Sequence, residues 1–233
     1  MRPKLTVVIL SFSLLFLGLS AVPGDAQDFD KVDFLEKVRE RYAGTTGLTA
    51  DYQRTTTSPS MEGVFKSSSQ NVASGVLLYK KPDKLSLDQK EPRPEKLVTD
   101  GRTVWWYIPE EKMVHRYSDV DVYGELKPIL DFLGGLAGLE EQFLVRVIPA
   151  GTKNDKNHRL DLARLTEGPG PQDITVWLAP DTLTVVGFKI TSLTGESTVF
   201  NLTHVDTQPK LKDDQFIFTP PPDAEVVDEA GVK

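Results

Sequence analysis

Cysteine is absent from the 233 residues, which excludes a disulfide framework, thiolate metal sites, a cysteine nucleophile and lipid attachment through an N-terminal cysteine. Histidine occurs three times, and His115, His158 and His204 stand far apart, none in a metal-ligand spacing such as HExxH. Basic residues are not in excess: 27 Lys and Arg face 34 Asp and Glu, for a net charge of −7. A surface that tracks phosphates needs the opposite balance, so no nucleic-acid partner is expected. No Gly-x-Ser-x-Gly elbow, Walker-type loop or dinucleotide fingerprint occurs. The acidic pairs Glu110-Glu111, Glu140-Glu141 and Asp213-Asp214 fall in turns or polar segments and read as solvated faces. The residues therefore give no catalytic site, no metal and no cofactor to expect, and the protein is read as a non-enzyme.

A long apolar run is also missing. The longest uncharged, mainly apolar stretch is Leu5–Leu19, short against the ~20 residues of a spanning helix. Arg2 and Lys4 precede it, and Ser20, Ala21, Gly24 and Ala26 follow, the pattern of a secretory signal. Cleavage after Ala26 leaves residues 27–233 as a single exported domain; cleavage after Ala21 and retention as an anchor are the alternatives. Without cysteine, such a chain depends on its core alone, for which its length suffices. With 39% apolar and 26% charged residues it is neither disordered nor unusually greasy.

What is present is a series of short alternating segments. A helix is expected over Phe29–Tyr42, with Val32, Leu35, Val38 and Tyr42 as its apolar stripe and Gly44 as its stop. About eleven strands follow. The first carries Leu48, Ala50 and Tyr52; next come Val72–Tyr79, Lys84–Gln89, Lys96–Thr99, Thr103–Ile108 and Met113–Tyr117. The last five are Leu144–Ile148, Arg159–Leu165, Ile174–Leu178, Val185–Thr191 and Ser197–Val205. Turn signals such as Asp100-Gly101 and Ala179-Pro180-Asp181 separate them. The expected fold is mainly β with helices (α+β): one curved antiparallel sheet forming an unclosed barrel or sandwich. Ser58–Gln70 reads as a surface loop, and the tail from Thr219 as an extended segment along the sheet edge.

Between strands, Pro128–Phe143 carries Ile129, Phe132, Leu133, Leu136 and Ala137 at helical spacing. Gly134, Gly135 and Gly138 lie within the stripe and weaken it by ~1 kcal/mol each relative to Ala. Two readings follow: a movable cover over an apolar cavity, or a core helix whose glycines permit close packing. A curved sheet with surplus apolar side chains suits an apolar ligand better than a reaction.

Three stretches resemble the outer-membrane lipoprotein carrier family, the LolA-type periplasmic chaperones. Leu48-Thr49-Ala50-Asp51-Tyr52-Gln53 is similar to the family's L-x-A-x-F-x-Q strand. Val98-Thr99-Asp100-Gly101, followed by Val104-Trp105-Trp106-Tyr107-Ile108-Pro109, resembles its v-S-D-G-x-x-l-W-x-Y-x-P hairpin. Phe216-Ile217-Phe218-Thr219-Pro220-Pro221 resembles its F-x-F-x-P-P ending. The resemblance implies a periplasmic carrier that accepts acylated lipoproteins from an inner-membrane lipoprotein-releasing ABC transporter; the short apolar run and the absence of cysteine lead to the expectation of a monomer. An outer-membrane lipoprotein acceptor would receive them. A related lipid-binding or lipoprotein-sensing protein and a secreted enzyme are the alternatives.

On this reading Leu85, Leu87, Trp105, Tyr107, Ile129, Phe132, Leu133 and Leu136 line the lipid cavity, with Trp105 and Tyr107 sharing its face. The family's R-P-x-x-F-x-W segment falls on Lys81-Pro82-Asp83-Lys84-Leu85-Ser86-Leu87. Lys81 thus stands where the resemblance implies a lid-holding Arg; it keeps the charge but loses the planar fork. A solvated lysine before a turn proline is the other reading.

Overall fold

A computed structural model describes residues 30–58, 71–117, 127–133, 139–151, 156–166 and 171–229. Helix α1 (Lys31–Ala43) starts at Asp30, whose carboxylate accepts from the backbone N–H groups of Val32 and Asp33 at 2.8 and 3.2 Å. Its buried face is Phe34, Leu35, Val38 and Tyr42. Val32, expected in the stripe, is 74% exposed. Phe34 replaces it, because two positions along the helix turn the side chain by ~200°, to the opposite face.

The strands are β1 (Gly47–Thr57), β2 (Asn71–Lys80), β3 (Lys84–Glu91), β4 (Glu95–Thr99), β5 (Val104–Ile108) and β6 (Met113–Tyr117). They continue, after two short helices, as β7 (Phe143–Ile148), β8 (His158–Arg164), β9 (Asp173–Leu178), β10 (Val185–Thr191), β11 (Ser197–Asp206) and β12 (Glu225–Glu229). The order across the sheet is β12-β6-β5-β4-β3-β2-β1-β11-β10-β9-β8-β7, so β12 and β7 are free edges and the barrel is unclosed. Two antiparallel meanders meet where β1 pairs with β11.

Two features differ from expectation. The sheet has 12 strands rather than about eleven, and β12 pairs with β6 in parallel. The apolar segment near residue 130 forms α2 (Lys127–Leu133) and α3 (Leu139–Gln142), and Phe143 opens β7 instead of ending a helix. Leu136 and the glycines at 134, 135 and 138 lie outside the described residues, as do the expected leader and most of the Ser58–Gln70 loop.

Local chemistry sets the turns. Gly101 has φ +95°, a conformation that costs other residues energy. The Asp100 carboxylate beside it accepts from Arg102 and Thr103 N–H at 2.9 and 3.1 Å. At Gly75 the register shifts against β3, and a Cβ would sit 2.1 Å from the Asp88 carbonyl oxygen, so only glycine permits this approach.

The inner face carries the core. Alternate residues of β1 (Leu48, Ala50, Tyr52), β2 (Leu77, Tyr79), β3 (Leu85, Leu87) and β11 (Phe200, Leu202) join α1 and α2 in one apolar cluster. The outer face of β3–β6 is covered too. Lys80 and Lys84 both reach the Asp213 carboxylate, at 2.7 and 2.9 Å, and hold its side-chain pKa down at about 2. From there the chain runs past Phe218 to β12.

Candidate functional site

The inner face holds two adjoining spaces. The first is the cleft under α2, lined by Leu77, Leu85, Leu87, Ile129, Leu130, Leu133, Phe188 and Phe200. Only about 10 Å³ remains in it, no more than the smallest space that holds one ordered water. Ile129, Leu130 and Leu133 therefore fill a groove that the sheet makes from apolar side chains. Phe132 turns to α1, its ring centroid 5.4 Å from that of Tyr42. The Tyr79 hydroxyl lies 3.3 Å from both the Leu130 and the Pro82 carbonyl oxygens, so its one proton ties β2 to α2 or to the β2–β3 turn.

The second space is an open cavity of about 410 Å³. Tyr52, Leu87, Leu97, Trp106 and Phe200 give it an apolar wall, and Arg54, Gln89, Glu95 and Glu196 supply charge and hydrogen bonds. The register explains the grouping. Tyr52 and Arg54 alternate on β1, Phe200 sits opposite Arg54 on β11, and Leu97 sits opposite Trp106 across β4 and β5. Trp106 Nε1 donates to Glu95 at 3.0 Å, and Arg93 holds the other Glu95 oxygen at 2.7 Å. Leu87 and Phe200 border both spaces.

Among the residues expected in a lipid cavity, Leu85, Leu87, Ile129 and Leu133 meet in the cleft and Phe132 anchors its cover. Trp105 and Tyr107 do not join them. Both point to the outer face, their ring centroids 5.9 and 5.7 Å from that of Phe218, with Arg116 over Trp105. The strand alternates as expected, but with the opposite phase. In Val104-Trp105-Trp106-Tyr107-Ile108 both faces are apolar, and the C-terminal segment buries the outer one. Trp106 is the tryptophan of the cavity, and Arg54 the polar residue that the sequence pattern does not single out.

The Lys81 ammonium donates to the Tyr42 carbonyl at 3.0 Å, at the C-terminus of α1, and no bond from it to α2 occurs among the described residues. A cation there complements the helix dipole, and burial lowers the Lys81 pKa. Burial also raises the phenol pKa of Tyr42 and Tyr52 to about 12, and that of Tyr79 further. The histidines occupy separate sites. His115 stacks on Trp106 and pairs with Glu229 at 2.8 Å; His204 pairs with Asp51 at 2.9 Å. His158 accepts from Ala150 N–H at 3.0 Å.

The described residues thus form an unclosed sheet around an apolar cleft that a short helix enters. The family profile described as "Outer membrane lipoprotein carrier protein LolA" matches residues 43–219. The chain belongs to the LolA family. An outer-membrane lipoprotein carrier protein of Methylibium petroleiphilum is 28% identical over 220 residues, 91% of this chain and 94% of that one. Its counterpart in Pasteurella multocida is 32% identical over 77 residues, and there the LolA-family chain spans only about a third of the relative, 35%. The solved structure of an uncharacterized conserved protein from Thermus thermophilus shares the fold, with a TM-score of 0.50 at 12% identity, covering 86% of this chain and 100% of that one. Among the described residues, no helix of this LolA-family chain is long and apolar enough to cross a membrane.

Proposed function

We propose that this chain is a periplasmic, non-enzymatic carrier that shields the acyl chains of lipoproteins and transfers them from the inner membrane to an outer-membrane acceptor. Residues 1–26 would be a cleaved leader and 27–233 one monomeric carrier domain. The observation that carries this reading is the cleft filled by Ile129, Leu130 and Leu133, because a groove already occupied by a short helix can exchange that helix for another apolar body. Leu85 and Leu87 would form its floor. The family membership supplies the cargo, since relatives of this chain are named for it.

Magnitudes support exchange. Three acyl chains hold about 45 methylenes, and at ~0.8 kcal/mol each their exposure would cost tens of kcal/mol, so unaided passage through water is negligible. Ile129, Leu130, Phe132 and Leu133 are each at most 4% exposed. At ~1.5–3 kcal/mol per buried side chain, the helix contributes about 6–12 kcal/mol, close to the ~11 kcal/mol of one chain of about 14 methylenes. Displacing α2 with one chain thus changes the free energy by about 5 kcal/mol at most, small enough for loading to be reversible. Mass spectrometry of the chain recovered from its native envelope should find acylated polypeptides bound. Recovery without any, together with turnover of an ester library, would overturn the reading.

A further inference from the structure

The open cavity contains a guanidinium that the acyl-chain reading does not use. Arg54 is partly buried and lines the cavity, and it has no ion pair among the described residues. Its Nη2 donates to Gln89 Oε1 at 2.9 Å, and its Nε is buried with no acceptor. Gln89 is fixed in that orientation because its own Nε2 donates to the Arg93 carbonyl at 3.0 Å. Glu95, a carboxylate on the same wall, is held by Arg93 and Trp106. Glu196 immediately precedes β11 and is exposed. The cavity therefore presents an oriented, partly buried cation whose hydrogen-bond partner is a neutral amide. A buried N–H without an acceptor is unfavourable, and an anion that reaches it makes a charge-assisted hydrogen bond.

We propose that this cavity seats the head of an anionic amphiphile, a carboxylate or phosphate on an acyl chain, with Arg54 as its counter-ion. The proposal rests on the acyl-carrier reading and adds anionic lipids to the ligand class. Tyr52 and Phe200 flank Arg54, and Leu87 and Phe200 continue into the cleft under α2. A head at Arg54 thus directs its tail toward the space that Ile129 and Leu133 fill. A guanidinium suits such heads because its N–H groups match two oxygens at once.

The test is calorimetric titration of the full chain with dodecanoate, dodecyl phosphate, dodecanol and inorganic phosphate. At least one of the two anionic amphiphiles should bind tenfold or more tightly than dodecanol, and whichever gains identifies the head. Added salt should erode that preference, and inorganic phosphate alone should not bind. Arg54→Met should remove the preference and leave dodecanol affinity unchanged; Arg54→Lys, which keeps the charge, should retain part of it. The wild-type comparison decides even if Arg54→Met does not fold. Equal affinity for all three amphiphiles, full preference in folded Arg54→Met, or phosphate binding as well as dodecyl phosphate would each overturn the proposal. Binding of an acylated peptide without any anion preference defeats this inference alone; failure of every acyl ligand defeats the carrier reading as well.

Discussion

Tyr79, fully buried on β2, places its hydroxyl 3.3 Å from the carbonyl oxygen of Leu130 in α2. This is a polar tie between the sheet and the helix that fills its cleft. The same hydroxyl reaches Pro82 equally well, so the contact with α2 can be lost without leaving the phenol unpaired. A net hydrogen bond contributes ~1 kcal/mol. Because Pro82 keeps the phenol paired when α2 leaves, Tyr79→Phe should favour the displaced helix by less than about fivefold and tighten acylated-peptide binding by a similar factor. Unchanged affinity, measured by fluorescence competition, would assign Tyr79 to the turn alone.

Ile129 and Leu133 face the cleft directly. Replacing both with Ser removes the apolar body that competes with ligand, at a stability loss of ~2–5 kcal/mol per site or more, since the hydroxyl adds to the lost apolar burial. The thermal midpoint should fall by roughly ten degrees or more while affinity for an acylated peptide rises or holds. Delivery to an acceptor should slow, because the helix no longer re-enters to expel the chain. Simultaneous loss of stability and binding would mark α2 as ordinary core.

Trp106 lines the open cavity, whereas Trp105 packs on Phe218 at the outer face. Trp106→Phe should abolish most of the ligand-induced change in tryptophan emission, and Trp105→Phe should leave it. A reversed result would contradict the face assignment of β5.

Burial raises the Tyr42 and Tyr52 pKa to about 12, and that of Tyr79 further, above the ordinary value near 10. The folded state thus keeps protons that the unfolded chain releases. Their contribution is fully present below pH ~10 and is lost as pH rises through about 12. Denaturant midpoints should be flat in these groups near neutrality and fall steeply above pH ~10. Tyr52→Phe should soften that fall; an unchanged alkaline slope would show that Tyr52 is solvated.

Lys81 ties the β2–β3 turn to Tyr42. Lys81→Met should lower stability by ~1–2 kcal/mol, a value suited to a charged hydrogen bond at a helix terminus. Acyl affinity should stay unchanged, because α2 is untouched. A marked gain in affinity would instead restore Lys81 to control of the cover.

The sequence by itself determined the sheet. Leu48, Ala50 and Tyr52 alternate, Asp100-Gly101 permits one tight turn, and eleven segments of this kind allow little besides an antiparallel meander, since these signals are local. It also determined that Ile129, Phe132 and Leu133 share a buried helix. Tertiary structure decided the rest. Glu225–Glu229, expected only as part of an extended tail along the sheet edge, becomes a parallel strand beside β6, where Arg116 and His115 have Asp228 and Glu229 as their partners. Trp105 and Trp106 are chemically equal neighbours, and only Phe218, more than a hundred residues later, determines which of them faces outward. Arg54 reads as an ordinary solvated strand residue until β1, β3 and β11 enclose it. The physical reason is common to all three: strand alternation specifies two faces but not which is inside, and that choice comes from long-range burial.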